Sequence, residues 1–182
     1  MENLNSNFLV PEKHYFKDDG NIPNSKYPLL LYRAKSEKVN DINADWLENT
    51  FNKYNWTNSW RWGVYDFHHY HSNTHEVLGV FQGNAKLLLG GEQGKIFNVK
   101  TGDVIVIPAG VGHKCLSHSI DFEVVGAYPN GASADMNKGE TGERPQADQN
   151  ISQTPIPDTD PISGLGGPLI NIWKEATYNK HL

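Results

Sequence analysis

From Trp60 onward, apolar and polar positions alternate with a period of two, in short runs. The segment 63–71, GVYDFHHYH, places Tyr65, Phe67, His69 and His71 on one face of a strand, and Val64, Asp66, His68 and Tyr70 on the other. Further short runs follow at 75–81, 86–89, 95–99, 103–107, 113–117 and 122–128. Turn formers separate them: Ser72-Asn73, Gly83-Asn84, Gly90-Gly91, Thr101-Gly102, Gly110 and Gly112. Short strands at this spacing predict an all-β sandwich or barrel rather than βαβ units. Upstream, PLLLYR (28–33) reads as a strand. Residues 41–55 read as one short helix, capped by Asp41 or Asn43, with Trp46, Leu47, Phe51 and Tyr54 as its apolar face. Residues 1–26, polar and broken by Pro11, Gly20 and Pro23, read as an extended arm. Residues 130–168 are rich in Gly, Pro and polar side chains and read as a long loop that is functional, packed on the barrel or mobile. PLINIWK (168–174) reads as a last strand.

A chain of 182 residues suits one domain with a sizeable core. The expected layout is an arm and helix over 1–58, a barrel core over 59–130 and an extended segment over 131–182. The net charge of −5 leaves no basic footprint for nucleic acid or an anionic membrane. No run approaches the roughly 18 apolar residues of a membrane span, and MENLNSNFLV does not read as a secretory signal. A single cysteine, Cys115, allows no intrachain disulfide, which fits a reducing cytoplasm.

The histidines change the picture. Eight in 182 residues would put about 0.35 in any eight-residue window, yet His68, His69, His71 and His75 share one. Residues two apart on a strand share a face at roughly 7 Å, so His69 and His71 can converge on one ion. After a four-residue turn, Glu76 opens the next strand, and His113 opens a later one behind a Pro-Ala-Gly-Val-Gly turn. Three imidazoles and a carboxylate fill four positions on a divalent transition metal and leave one or two for water, oxygen or substrate. The spacing Gly63, five residues, His69, one residue, His71, four residues, Glu76, six residues, Gly83 resembles the first motif of the cupins. Gly102, five residues, Pro108, Ala109, Gly110, two residues, His113 resembles the second, with Ser117 at the place of its terminal Asn. The segments DDGNIPN, PLLLYR, HHYHSNTHEVLGV and GERP also resemble the bacterial YjlB-like single-domain cupins. The resemblance implies a double-stranded β-helix (jelly-roll) barrel, a metal inside one mouth held by His69, His71, Glu76 and His113, and a homodimer formed by strand exchange or edge pairing.

Around this set, His75 is an alternative ligand, a solvent-facing residue or an outer partner, and His68 belongs to the surface or outer core. Tyr65, Phe67 and Cys115 are core residues by default and pocket residues by the sharper reading. Trp56, Trp60 and Trp62 are core or loop-covering aromatics, or a pocket rim. Donors of this type suit iron, manganese, zinc or nickel alike. The first functional reading is a metal-dependent enzyme on a small polar organic molecule, dioxygenase-like because a 3-His-1-Glu set resembles that subgroup. The alternatives are a metal-dependent isomerase or lyase, and a non-catalytic cupin that binds a small ligand or a metal.

Overall fold

In the computed structural model, residues 7–178 are described. Among these described residues, nine strands form two antiparallel sheets. The larger has the order β1 (Glu12–His14), β2 (Leu29–Tyr32), β7 (Val104–Ile107), β4 (Glu76–Gln82), β9 (Glu123–Pro129), β3 (Trp56–Trp62). The smaller has the order β6 (Lys95–Lys100), β5 (Asn84–Leu89), β8 (His113–His118). Helix α1 spans Ala44–Lys53, α2 Gln146–Gln153 and α3 Pro168–Tyr178.

The large sheet is covered on both faces, which explains why its strands read as unbroken apolar runs such as LLLY and VIVI. Leu29, Leu31, Leu78, Ile105 and Val124 turn towards the small sheet and meet Leu87, Phe97 and Cys115 there. Leu30, Tyr32, Val77, Val106 and Val125 turn outward and are covered by Leu47 and Phe51 of α1 and Leu169 and Trp173 of α3. Helix α1 begins where Asn43 accepts a hydrogen bond from the Trp46 amide. Its Leu47 presses against Gly79, where a Cβ would lie 2.7 Å from a Leu47 methyl. Helix α3 is docked by a buried carboxylate, Asp160. That group accepts from the Ile162, Ser163 and Leu169 amides and from the Tyr32 hydroxyl, so its burial leaves no lone pair unused.

Three expectations are corrected. PLINIWK is helical, not a strand: Leu169, Ile170 and Trp173 share one helical face, and the Trp173 indole donates to the Pro28 carbonyl at 2.9 Å. The segment after residue 130 is not extended throughout, since it carries α2 and α3. The strand expected at 63–71 lies earlier, at Trp56–Trp62, and beyond it only bridges remain, His69 with His113 and Tyr70 with Asn137. The reason is topological. β3 is an edge of the large sheet and β8 an edge of the small one, and residues 63–71 cross between them, so no continuous ladder can follow. Part of the expected arm also joins the sheet, as β1. Among the described residues no helix is long and apolar enough to cross a membrane.

Candidate metal centre

The crossing segment brings His69 and His71 to the mouth between the sheets. Glu76 stands at the first position of β4, paired with Ile107, and His113 at the first position of β8, paired with Leu89 and bridged to His69. The turn before His113 requires glycine: Gly110 has φ +92°, and a Cβ there would lie 2.3 Å from the Asn24 carbonyl oxygen. All four side chains are buried. One nitrogen from each of His69, His71 and His113 lies within 4.8 Å of the other two. Glu76 Oε2 lies 3.4 Å from His71 Nε2 and 3.2 Å from His113 Nε2.

The backbone fixes which nitrogen faces inward. Nδ1 of His69 faces the Phe67 carbonyl at 3.4 Å, Nδ1 of His113 the Val111 carbonyl at 3.1 Å, and Nδ1 of His71 the Asp135 carbonyl. A carbonyl only accepts, so each Nδ1 carries the proton, and in the neutral ring Nε2 is the nitrogen left with a lone pair for an ion. Histidine ligands are commonly oriented in this way by a partner on the other nitrogen. Glu76 Oε2 is buried and has no hydrogen bond of acceptable geometry, although two imidazoles crowd it. Burial pushes the Glu76 carboxyl up, but His71 and His113 outweigh it and hold it well below the usual range. Burial lowers His71 too, and Glu76 reverses that into a net rise. His69, buried beside the other two rings, falls to about 2. The site thus holds one carboxylate charge, an orphaned oxygen and inward lone pairs, and these fit one divalent cation in place of a proton.

Other residues complete the wall. Ser72 donates its amide to Asp135 Oδ1 at 2.6 Å and its hydroxyl to Oδ2, and Asn73 accepts from the Asp135 amide at 3.0 Å. These contacts clamp residues 133–135 against His71. A cavity of about 260 Å³ ends on the three imidazoles and Glu76, and its walls are Trp60, Trp62, Val64, Tyr65, Leu78, Tyr128, Ala134 and Met136. The Trp60 indole donates to the Tyr128 hydroxyl oxygen at 3.0 Å. Burial and Glu76 hold that hydroxyl above its ordinary range, so it stays protonated.

Of the residues read as pocket candidates, Tyr65 lines the cavity. Phe67 does not; it stacks on Tyr65 at 4.7 Å behind the wall. Cys115 does not either, because β8 turns it into the core between the sheets, where burial raises its thiol. His75 is neither solvent-facing nor placed to ligate. Its Nδ1 accepts from the Ala109 amide at 2.9 Å and its Nε2 donates to the Pro155 carbonyl at 3.0 Å, which uses both nitrogens. Burial lowers it to about 4. His68 is half-buried, with Nε2 3.2 Å from Glu92 Oε1. Trp56 is core, whereas Trp60 and Trp62 are cavity wall.

This fold is that of a jelly-roll cupin. Residues 67–139 match the family model described as Cupin, and the chain belongs to that family. It is similar to the Bacillus subtilis (strain 168) protein called "Uncharacterized protein YjlB", with 45% identity over 163 residues, covering 89% of this chain and 96% of that one. Among solved structures it is similar to a DUF861 family protein from Thermotoga maritima, with 22% identity and a TM-score of 0.33, covering 55% of this chain and 96% of that one. Another is the Bacillus anthracis acireductone dioxygenase bearing cadmium, with 16% identity and a TM-score of 0.34, covering 50% and 60%. Overlaps of this extent carry no argument about activity.

Proposed function

We propose that the chain is a metal-dependent enzyme that acts on a small organic molecule with a polar end, dioxygenase-like in its chemistry. His69, His71, His113 and Glu76 would hold one divalent transition metal. The observation behind this reading is that the cavity ends on those four side chains, with the imidazole lone pairs turned inward by three backbone carbonyls. When bound, iron or manganese supplies dioxygen chemistry, and zinc or nickel supplies Lewis-acid polarisation. The preference for the former rests on the 3-His-1-Glu set, which resembles the dioxygenase subgroup. The chain's own contribution is orientation and the exclusion of water. Asp135 and Ser72 fix His71, Trp60 fixes Tyr128 beside Glu76, and the aromatic walls keep a polar end of the substrate at the imidazoles.

The test is oxygen uptake by iron-, manganese- and zinc-loaded protein across a panel of small organic acids and enols. Uptake that needs a redox-active metal and vanishes in His113→Ala supports this reading. Turnover with zinc and no oxygen consumption moves the protein to the isomerase or lyase class. Binding without turnover under any metal leaves a non-catalytic ligand-binding cupin.

A further inference from the structure

The cavity's own lining narrows the ligand. On the reading that His69, His71, His113 and Glu76 hold a divalent ion, the ion and the one carboxylate leave a single net positive charge at the inner end. Among the described residues that line the cavity, none is lysine or arginine. Lys138, on the segment that walls the mouth, instead rests its ammonium over the outer Phe67 ring, 4.8 Å from the centroid. A second anionic group enclosed within the inner half of the cavity would therefore be desolvated with no partner, at a cost that apolar contacts cannot offset.

The outer half of the cavity shows the opposite character. Trp62 is 56% exposed and Met136 45%, and Tyr65 at 37% lies between the rim and the imidazoles. Trp62 and Tyr65 meet edge to face at 5.1 Å, so the rim presents flat aromatic surface at two orientations. Large apolar side chains exposed together around a polar cavity mark a surface that a ligand covers.

We propose that the cavity takes a small monoanion with a flat apolar body, its single anionic oxygen group directed to the metal end and its body lying against Trp62, Tyr65 and Met136. Trp62 is the specificity-determining residue of this arrangement: it touches the body and not the anionic end.

The experiment uses the full chain loaded with zinc, which removes oxygen-dependent turnover from the measurement. Binding of acetate, benzoate and terephthalate is followed by calorimetry, on wild type and on Trp62→Ala. Benzoate should bind at least about tenfold more tightly than acetate, because ring burial adds to a shared head-group interaction. Terephthalate, whose second carboxylate would reach the apolar rim of Trp62 and Met136 with no cationic partner in the lining, should bind no more tightly than benzoate. Trp62→Ala should leave zinc content and acetate affinity unchanged and remove most of the benzoate advantage. Equal affinity for acetate and benzoate, tighter binding of terephthalate, no binding of benzoate, or a benzoate advantage that survives in Trp62→Ala would each overturn the proposal while leaving the metal centre standing. Failure to take up zinc, and equally iron, manganese or nickel, would overturn the metal reading itself.

Discussion

Asp135 is the most informative residue to perturb, because it joins the 133–135 segment to the candidate metal centre without being a candidate ligand. Its side chain accepts from the Ser72 amide at 2.6 Å and from the Ser72 hydroxyl, and its carbonyl accepts from His71 Nδ1. Asp135→Ala deletes the first two contacts and frees the backbone that makes the third. Two hydrogen bonds to a partly buried carboxylate contribute about 2–3 kcal/mol together. For a chain of this length that corresponds to a melting shift of about 5–10 °C. Loss of the partner that orients His71 should weaken metal binding by about 10–100-fold. Asp135→Asn separates charge from shape. Burial pushes the Asp135 carboxyl up, but the hydrogen bonds from Ser72 outweigh it and hold it below its ordinary value. A depressed carboxylate contributes stability that is present above the unfolded pKa of about 3.9 and is lost as pH falls through the folded value. The stability gap between wild type and Asp135→Asn should accordingly be open at pH 7 and close below about pH 4. Metal affinity is read by competition with a coloured chelator, and stability by thermal melts of the metal-free proteins. An Asp135→Ala protein that melts lower yet binds metal as tightly as wild type would refute the claim that this segment orients His71.

Other expectations follow from the same geometry. Glu76→Gln keeps size and removes charge, so metal affinity should drop by at least about 100-fold in the chelator assay; an unchanged affinity would remove Glu76 from the ligand set. His75→Ala strands the buried Ala109 amide and opens a gap against Tyr27 and Trp173, costing about 2–4 kcal/mol in denaturant melts with one metal per chain retained; loss of metal would return His75 to the ligand candidates. Trp173→Ala removes the fully buried ring that seats α3 on the large sheet and should cost about 3–5 kcal/mol; a near-neutral result would mean that α3 is dispensable for packing.

The ligand candidates and most of the strands were legible because their signals are local. His69, His71 and Glu76 fall within eight residues, and glycine-containing turns bound most of the runs that became β4 to β9. The nature of α3 was not legible, since an apolar run of seven residues fits a buried strand as well as a helix, and only docking on the outer face of the large sheet decides between them. The alternation of 63–71 placed His69 and His71 together correctly, but it does not describe a strand, because the chain is there changing sheets. His75 looked like a candidate ligand only through its proximity in sequence; the direction of its ring is set by Ala109 and Pro155, 34 and 80 residues away. Trp60 was read as a pocket-rim alternative, but Asp135, Tyr128 and the contacts they make could not be found from spacing. Asp135 reaches Ser72 across 63 residues, and Trp60 reaches Tyr128 across 68.

The central claim is that His69, His71, Glu76 and His113 hold one transition metal. Elemental analysis of the purified, tag-free chain beside a His69→Ala/His71→Ala variant tests it most directly. The account predicts about one iron, manganese, zinc or nickel per chain in the wild type, and none in a variant that remains folded. No metal in either protein, even after reconstitution with each of the four ions, would contradict it and leave a cupin barrel whose imidazole cluster serves some other end.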